Sequence, residues 1–225
     1  LPPEVASECL LGYLRARDAE RDGARDPSTA PAPPATFEEF VLRHFGEGIA
    51  RHFMVPYNAK LWGVHPRDLS AAWTGRFVPV PRLEDVVAGA FGAPAPSLGY
   101  NARFYYPRRG IGELTRALSE HAGRLELART ARRIDLGRRE IAFDDEVVRF
   151  DRLISTIPLP ALVDLVADVP GEVRAAAAAL RCTRLWYLDV ALHGPCERDW
   201  HWAYVPEPEI PFYRVGSYSN FSRAM

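Results

Sequence analysis

Tyr100-Asn101-Ala102-Arg103-Phe104-Tyr105-Tyr106-Pro107-Arg108-Arg109-Gly110-Ile111-Gly112-Glu113-Leu114 carries an aromatic strand through a proline into a glycine turn that opens a helix. Gly110 and Gly112 remove side chains where a backbone must pass close to something. A helix starting there exposes free N–H groups and the positive end of its dipole. Arg103, Arg108 and Arg109 add positive charge beside it. The stretch reads as a turn facing a phosphate or a flavin. It equally suits a plain strand-to-helix connection with a solvated basic face.

Upstream of this turn the pattern is mostly helical. Residues 4–19 form a helix by the spacing of Val5, Cys9, Leu10 and Tyr13, and residues 21–35 read as an exposed, poorly ordered loop because Pro27, Pro31, Pro33 and Pro34 break any backbone ladder. Thr36-Phe37-Glu38-Glu39 is a capping box, followed by Phe37, Phe40, Val41, Phe45 and Ile49 on one helical face. Residues 53–62, apolar, aromatic and interrupted by Pro56, suit a buried loop against a ligand or seam, or simple core packing. Residues 66–73 and 83–91 read as short helices.

Downstream, a helix from Gly112 to about Ala122 gives way to a meander of short strands at residues 125–128, 131–136, 140–143 and 147–150. Residues 153–158 form an apolar run ending in proline, the pattern of a buried strand entering a parallel sheet. Helices at 159–166 and 172–180 follow, then strands at 185–192, 200–205 and 212–219. Alternation of Trp200, Trp202 and Tyr204 puts one face on a core or a ligand. No internal repeat occurs.

With 225 residues and 48% hydrophobic content the chain can bury a substantial core. Its 28 Lys+Arg against 29 Asp+Glu leave a net charge of -1, so no global field draws it to nucleic acid or an anionic surface. No apolar run is long enough for a membrane helix, and no signal peptide is recognisable, which places the chain in the cytoplasm as an expectation. Cys9, Cys182 and Cys196 are too few and too scattered for a disulfide framework and read as buried or inert thiols. Starting at Leu1 and ending just after Ser219-Asn220-Phe221-Ser222, the sequence reads as a piece of a longer chain.

No Gly-x-Ser-x-Gly elbow supports a serine hydrolase, and the six histidines lack metal-ligand spacing. A small-molecule site is what the residues permit. Trp62, Trp73, Tyr105, Trp202, Tyr204 and Tyr213 can line an apolar pocket, with Arg76, Arg103, Arg108 or Arg214 presenting charge to an anionic ligand.

Several segments, in order, resemble one family. Met54-Val55-Pro56-Tyr57-Asn58-Ala59-Lys60-Leu61-Trp62 resembles the Pro-Tyr-Asn-x-Lys-x-Trp segment of eukaryotic-type UDP-galactopyranose mutases and their relatives in the flavin amine oxidase and protoporphyrinogen oxidase superfamily. Trp73-Thr74-Gly75-Arg76, the turn from Asn101 to Gly112, and the segment from Trp202 to Asn220 agree with it as well. Ser155-Thr156-Ile157-Pro158-Leu159-Pro160 resembles the superfamily's strand returning to the nucleotide-binding sheet. The resemblance runs from about Thr36 to Ser222.

That resemblance implies an α/β flavoprotein piece: a mostly helical substrate-binding part over residues 1–97 and a mixed part over 98–225 that contributes to the FAD domain and the substrate-binding sheet. The superfamily's Gly-x-Gly-x-x-Gly fingerprint for the FAD pyrophosphate is absent from these residues. FAD is therefore the implied cofactor, one that this piece alone is expected neither to retain nor to use in catalysis. In the mutase relatives the reduced flavin attacks the sugar's anomeric carbon, so the protein positions the diphosphate and no protein acid or base is demanded. By resemblance Arg76, Tyr213 and either Arg103 or Arg108 serve the nucleotide-sugar diphosphate, while Gly110, Gly112 and Ala131 serve the flavin nucleotide. The alternatives are an FAD-dependent amine or porphyrinogen oxidase and a non-catalytic binding domain of the same fold.

Overall fold

Thr36 sets the start of the helix around which the core gathers. Its hydroxyl accepts from the Glu39 N–H (3.2 Å), and the Glu39 carboxylate accepts from the N–H groups of Thr36 (3.3 Å) and Ala35 (2.8 Å), the capping box expected from the sequence. A computed structural model describes residues 1–25, 28, 32–93, 104–194, 200–222 and 224. The described chain divides into two compact units, Leu1–Glu113 with Asp189–Met225, and Leu114–Leu188. The functional division at about residue 97 is a different kind of boundary and is taken up below as a proposal.

In the first unit, helix α2 (Phe37–Ile49) buries Phe37, Phe40, Val41 and Phe45 against Ala50, Met54 and Ala71. Each such side chain contributes about 1.5–3 kcal/mol on leaving water. The chain continues through a widened π-helical turn (Ala50–Met54) into α3 (Val55–Trp62). The proline-interrupted segment is thus helical, not a loop. Pro56 sits in the first turn of α3, where its missing N–H costs nothing, and Gly63, at φ 67°, closes the far end. The expected helix at 66–73 is only a 3-10 turn (Pro66–Asp68) followed by the short α4 (Thr74–Phe77); α5 spans Leu83–Ala90.

Helix α1 runs over Pro3–Arg25, well past the expected end near residue 19. Glu20 meets His44 of α2 at 3.3 Å, and residues 21–25 belong to the helix and not to the loop. Positions 26, 27 and 29–31 of that loop lie outside the described residues. Tyr13 is fully buried and donates to the Pro81 carbonyl at 2.7 Å. Lower on the same helix Glu8 meets His52 (2.8 Å) and Arg51. The His52 hydrogen bond, followed by the Arg51 charge, holds the Glu8 carboxyl below its usual range.

The unit closes with a hairpin, whose strands are given in chain order with the others: β1 (Arg133–Asp135), β2 (Glu140–Ala142) and β3 (Val147–Arg149) belong to the second unit, β4 (Trp202–Tyr204) and β5 (Arg214–Gly216) to the first. In the hairpin Trp202 pairs with Gly216, Ala203 with Val215 and Tyr204 with Arg214.

In the second unit β1, β2 and β3 form the expected antiparallel meander, with Ile134, Ile141 and Val148 in register on one face. Residues 125–128 are not a strand, because Ala128 adopts φ 58° and breaks the extended backbone. Arg129 behind it gathers Glu126, Asp145 (2.5 Å) and Glu146 and lies 4.6 Å over the Phe143 ring. Helix α6 (Gly112–Glu120) joins the two units; α7 (Leu159–Leu165) and α8 (Gly171–Ala179) follow the meander.

Two expected strands, at 153–158 and 185–192, are absent. Neither run finds a pairing partner among the described residues, and without one an extended backbone has no ladder to join. Ile154 is 90% exposed and Trp186 86%. Of the thiols expected to be buried or inert, Cys182 is exposed, so burial fails for it, Cys9 is half-buried, and Cys196 lies outside the described residues. Among the described helices none is long and apolar enough to cross a membrane, and no cluster of metal-ligand residues occurs among the described residues.

Candidate functional site

Helix α3 and the hairpin meet through aromatic rings. Phe53 stacks on Tyr57 at 5.2 Å, one helical turn along, and Tyr57 meets the edges of Tyr204 (4.9 Å) and Tyr213 (6.0 Å). Arg214 lies 5.8 Å over the Tyr213 ring. Because Tyr204 and Arg214 are paired across the hairpin, the register brings an exposed guanidinium beside three phenols. From the same side of α3 as Tyr57, Lys60 donates to the carbonyls of Val205 and Glu207, both at 2.8 Å.

Burial raises the Tyr57 phenol to about 12, with Tyr204 and Tyr213 adding to the rise and Arg214 opposing it. Folding therefore retains the Tyr57 proton above its ordinary value of 10.0. The stability contributed is complete below about pH 10 and is lost as pH rises through about 12. An alkaline absorbance titration is expected to show a late-titrating phenol that Tyr57→Phe removes; a Tyr57→Phe curve differing only near pH 10 overturns this assignment.

Below these rings, Asn58 is buried and donates to the Met54 carbonyl at 2.7 Å. The buried Trp62 indole N–H has no partner among the described residues. Its ring lies 5.6 Å from Trp73, which in turn packs 5.1 Å from Phe37 in the core.

The glycine turn has its own aromatic surround. Phe221 contacts His201 (4.7 Å), Tyr106 (5.0 Å), Phe104 (5.5 Å) and Trp202 (5.9 Å), and the Ser222 hydroxyl donates to the Arg108 carbonyl at 2.5 Å. Gly110 is buried at φ 97°, a conformation that side chains disfavour. The His201 Nδ1 beside this cluster is buried without a partner among the described residues. At the mouth of α6 the Glu113 carboxylate takes both the Arg109 N–H (2.9 Å) and its guanidinium (2.7 Å). The positive charge of Arg109 is thereby engaged within the turn.

The residues singled out from the sequence fall in several places. Tyr213 is half-buried within the ring cluster. Arg76 is exposed on α4, with its guanidinium 5.7 Å from the ring of its neighbour Phe77, and Arg108 is exposed on the glycine turn. Gly112 begins α6, and Ala131 is half-buried just ahead of β1 in the second unit. Arg103 lies outside the described residues. Tyr204, Tyr213 and Arg214 are pocket candidates from the sequence, whereas Tyr57 and Lys60 stand out only within the segment that resembles the family, and the assembly of all of them is not foreseen. Its trace in the sequence is the i, i+3 spacing of Tyr57 and Lys60, together with a hairpin register that sequence alone does not fix.

Residues 18–200 match the model of the flavin containing amine oxidoreductases. The chain belongs to that family. Flavin containing amine oxidoreductases bind flavin, and this member's mixed architecture of helices and antiparallel strands is similar to the crystal structure of reduced UDP-galactopyranose mutase, with a TM-score of 0.79 and 31% identity. The similarity covers 100% of this chain and 49% of the mutase chain, so the chain spans about half the length of that relative. The family read from the chain's ordered segments is the family found.

Proposed function

We propose that this chain supplies the nucleotide-sugar-binding face of an FAD-dependent enzyme resembling UDP-galactopyranose mutase. The observation that carries the reading is the convergence of Tyr57, Tyr204, Tyr213 and Arg214 at one helix–hairpin junction, in a chain similar to a mutase along its whole length. Phenol rings offer flat faces and hydroxyls to a nucleotide, and a guanidinium offers a bidentate fork to a diphosphate. Arg76 and Arg108, both exposed, are the further cations proposed for the substrate. Residues 1–97 are proposed to serve mainly the substrate and 98–225 to contribute to the flavin part.

The residues present fit one flank of a flavin site. Gly110 turns without a side chain, and beside the same turn His201 keeps a buried ring nitrogen with no partner among the described residues. The pyrophosphate fingerprint is not among the 225 residues, so Gly110 and Gly112 are proposed as flavin neighbours and not as the phosphate cradle. Ala131 is retained as the adenine-side candidate. Bound FAD would supply the reacting centre; this chain's residues orient the substrate and exclude water around it. The unpaired apolar runs at 153–158 and 185–192 are proposed to join sheets completed by further chain.

Titrating the full-length, FAD-loaded protein with UDP is expected to show saturable binding that UDP-galactopyranose competes with. A second reading, an amine-oxidising enzyme, draws on the family's description and on the apolar Phe53–Tyr57 stack. Flavin reduction by an amine substrate without any UDP binding would replace the first reading by the second.

A further inference from the structure

Lys60 is the only lysine in the chain; every other member of its 28 Lys+Arg residues is an arginine. A sequence that uses guanidinium for positive charge everywhere else has an ammonium at this one place. The geometry there explains the difference. The half-buried Lys60 Nζ donates to two backbone carbonyls, Val205 and Glu207, at 2.8 Å each, and has no carboxylate partner among the described residues. A tetrahedral ammonium directs its three N–H groups divergently, so it can serve two carbonyls separated by one residue of a turn. A guanidinium is longer and planar, with its donors fixed in a fork that suits carboxylates and phosphates.

The carbonyls belong to the loop that carries the ring cluster. Val205 follows Tyr204 directly, and its N–H donates to the Tyr213 carbonyl at 2.9 Å, so this one residue is tied to the opposite strand on one side and to α3 on the other. The Glu207 carbonyl also accepts from the Ile210 N–H at 3.2 Å, which draws the rest of the turn into the same anchor. Tyr57, whose ring contacts Tyr204 and Tyr213, stands three residues before Lys60 on α3. Aromatic contacts alone are tolerant of sliding; two charge-assisted bonds to backbone are far more directional.

We propose that Lys60 is a positioning residue: its ammonium clamps the β4–β5 turn to α3 and thereby sets the place of Tyr204, Tyr213 and Arg214 for an anionic ligand. The ligand part rests on the nucleotide-sugar reading above; the clamp itself does not. An arginine at position 60 carries the charge but cannot make the clamp.

The test uses the full-length, FAD-loaded protein with Lys60→Met, Lys60→Arg and Lys60→Ala, reading UDP affinity together with amide exchange of the Val205 N–H and of the α2 core. Methionine and arginine are each expected to weaken UDP by about tenfold or more, the usual weight of charge-assisted contacts. Val205 exchange should accelerate by a similar factor while α2 exchange stays unchanged. Propylammonium, which matches the atoms removed, should restore Lys60→Ala in both readouts, and guanidinium should not. Wild-type behaviour of Lys60→Arg in both readouts, or unchanged Val205 exchange in Lys60→Met, overturns the clamp. If UDP fails to bind the wild type while Val205 exchange still responds, the nucleotide-sugar reading falls and the clamp stands. General unfolding of the variants without rescue by propylammonium would mean that Lys60 serves the fold as a whole, which also overturns the proposal.

Discussion

Arg214→Ala in the full-length, FAD-loaded protein is expected to weaken UDP binding by about ten- to a hundredfold, equivalent to roughly 1.5–3 kcal/mol for a charge-assisted contact. Stability should barely move. Arg214 is exposed on β5, its ring contact with Tyr213 is at the surface, and it has no carboxylate partner among the described residues. Removing it also withdraws the positive charge that opposes the rise in Tyr57, so the late phenol should titrate later still. Arg214→Lys keeps the charge but loses the fork, and an intermediate affinity is expected. Arg76→Ala provides the comparison from a second exposed arginine, which stands beside its own Phe77 on a separate short helix. A Tm that falls with unchanged UDP affinity, after correction for the folded fraction, would make Arg214 structural and remove the main support for a diphosphate site.

What the sequence revealed is what local chemistry decides. Thr36 and Glu39 specify a helix start by three residues and two reciprocal bonds, and the structure holds both bonds. The meander was legible because Ile134, Ile141 and Val148 recur with turn residues between them. Pro56 misled because a proline signals a break only inside a helix; at the start of α3 it is well tolerated, and one sequence cannot say which turn is first.

The runs at 153–158 and 185–192 misled in a different way. Alternating or continuous apolar residues report the surroundings a segment suits, while a strand exists only when a second backbone takes its hydrogen bonds. The site was half legible for a related reason. Its residue types stood out as aromatics and arginines, but their convergence depends on the pairing of Tyr204 with Arg214, whose register sequence does not fix, and on the packing of the hairpin against α3, which joins residues 145 positions apart through tertiary structure.

The contact of α1 with α2 was invisible in the sequence and supports the largest stability effect expected. A Cβ at Gly46 would lie 2.2 Å from the Gly12 carbonyl oxygen, and Gly46 holds φ 77°; a Cβ at Gly48 would lie 2.5 Å from the Glu8 carbonyl oxygen. The obstacles are backbone atoms, so no side chain can swing aside and α1 itself must move. With ψ at 171° Gly46 lies in a region essentially restricted to glycine, and strain of about 1–3 kcal/mol with overpacking of about 1–3 kcal/mol puts Gly46→Ala at about 2–6 kcal/mol, a large part of a domain's usual 5–15 kcal/mol. Displacing α1 also loosens the buried Tyr13 and its bond to Pro81. Gly63→Ala gives a strain-only comparison, because Gly63 lies in the left-handed helical region (φ 67°, ψ 14°) with nothing within 4 Å of its added Cβ, so about 1–2 kcal/mol is expected there. Denaturant unfolding should rank Gly46→Ala well below Gly63→Ala, with faster amide exchange across α1 in the former. Equal losses in the two variants would mean that the backbones of α1 and α2 have room between them, and the tight glycine-mediated docking of α1 would be wrong.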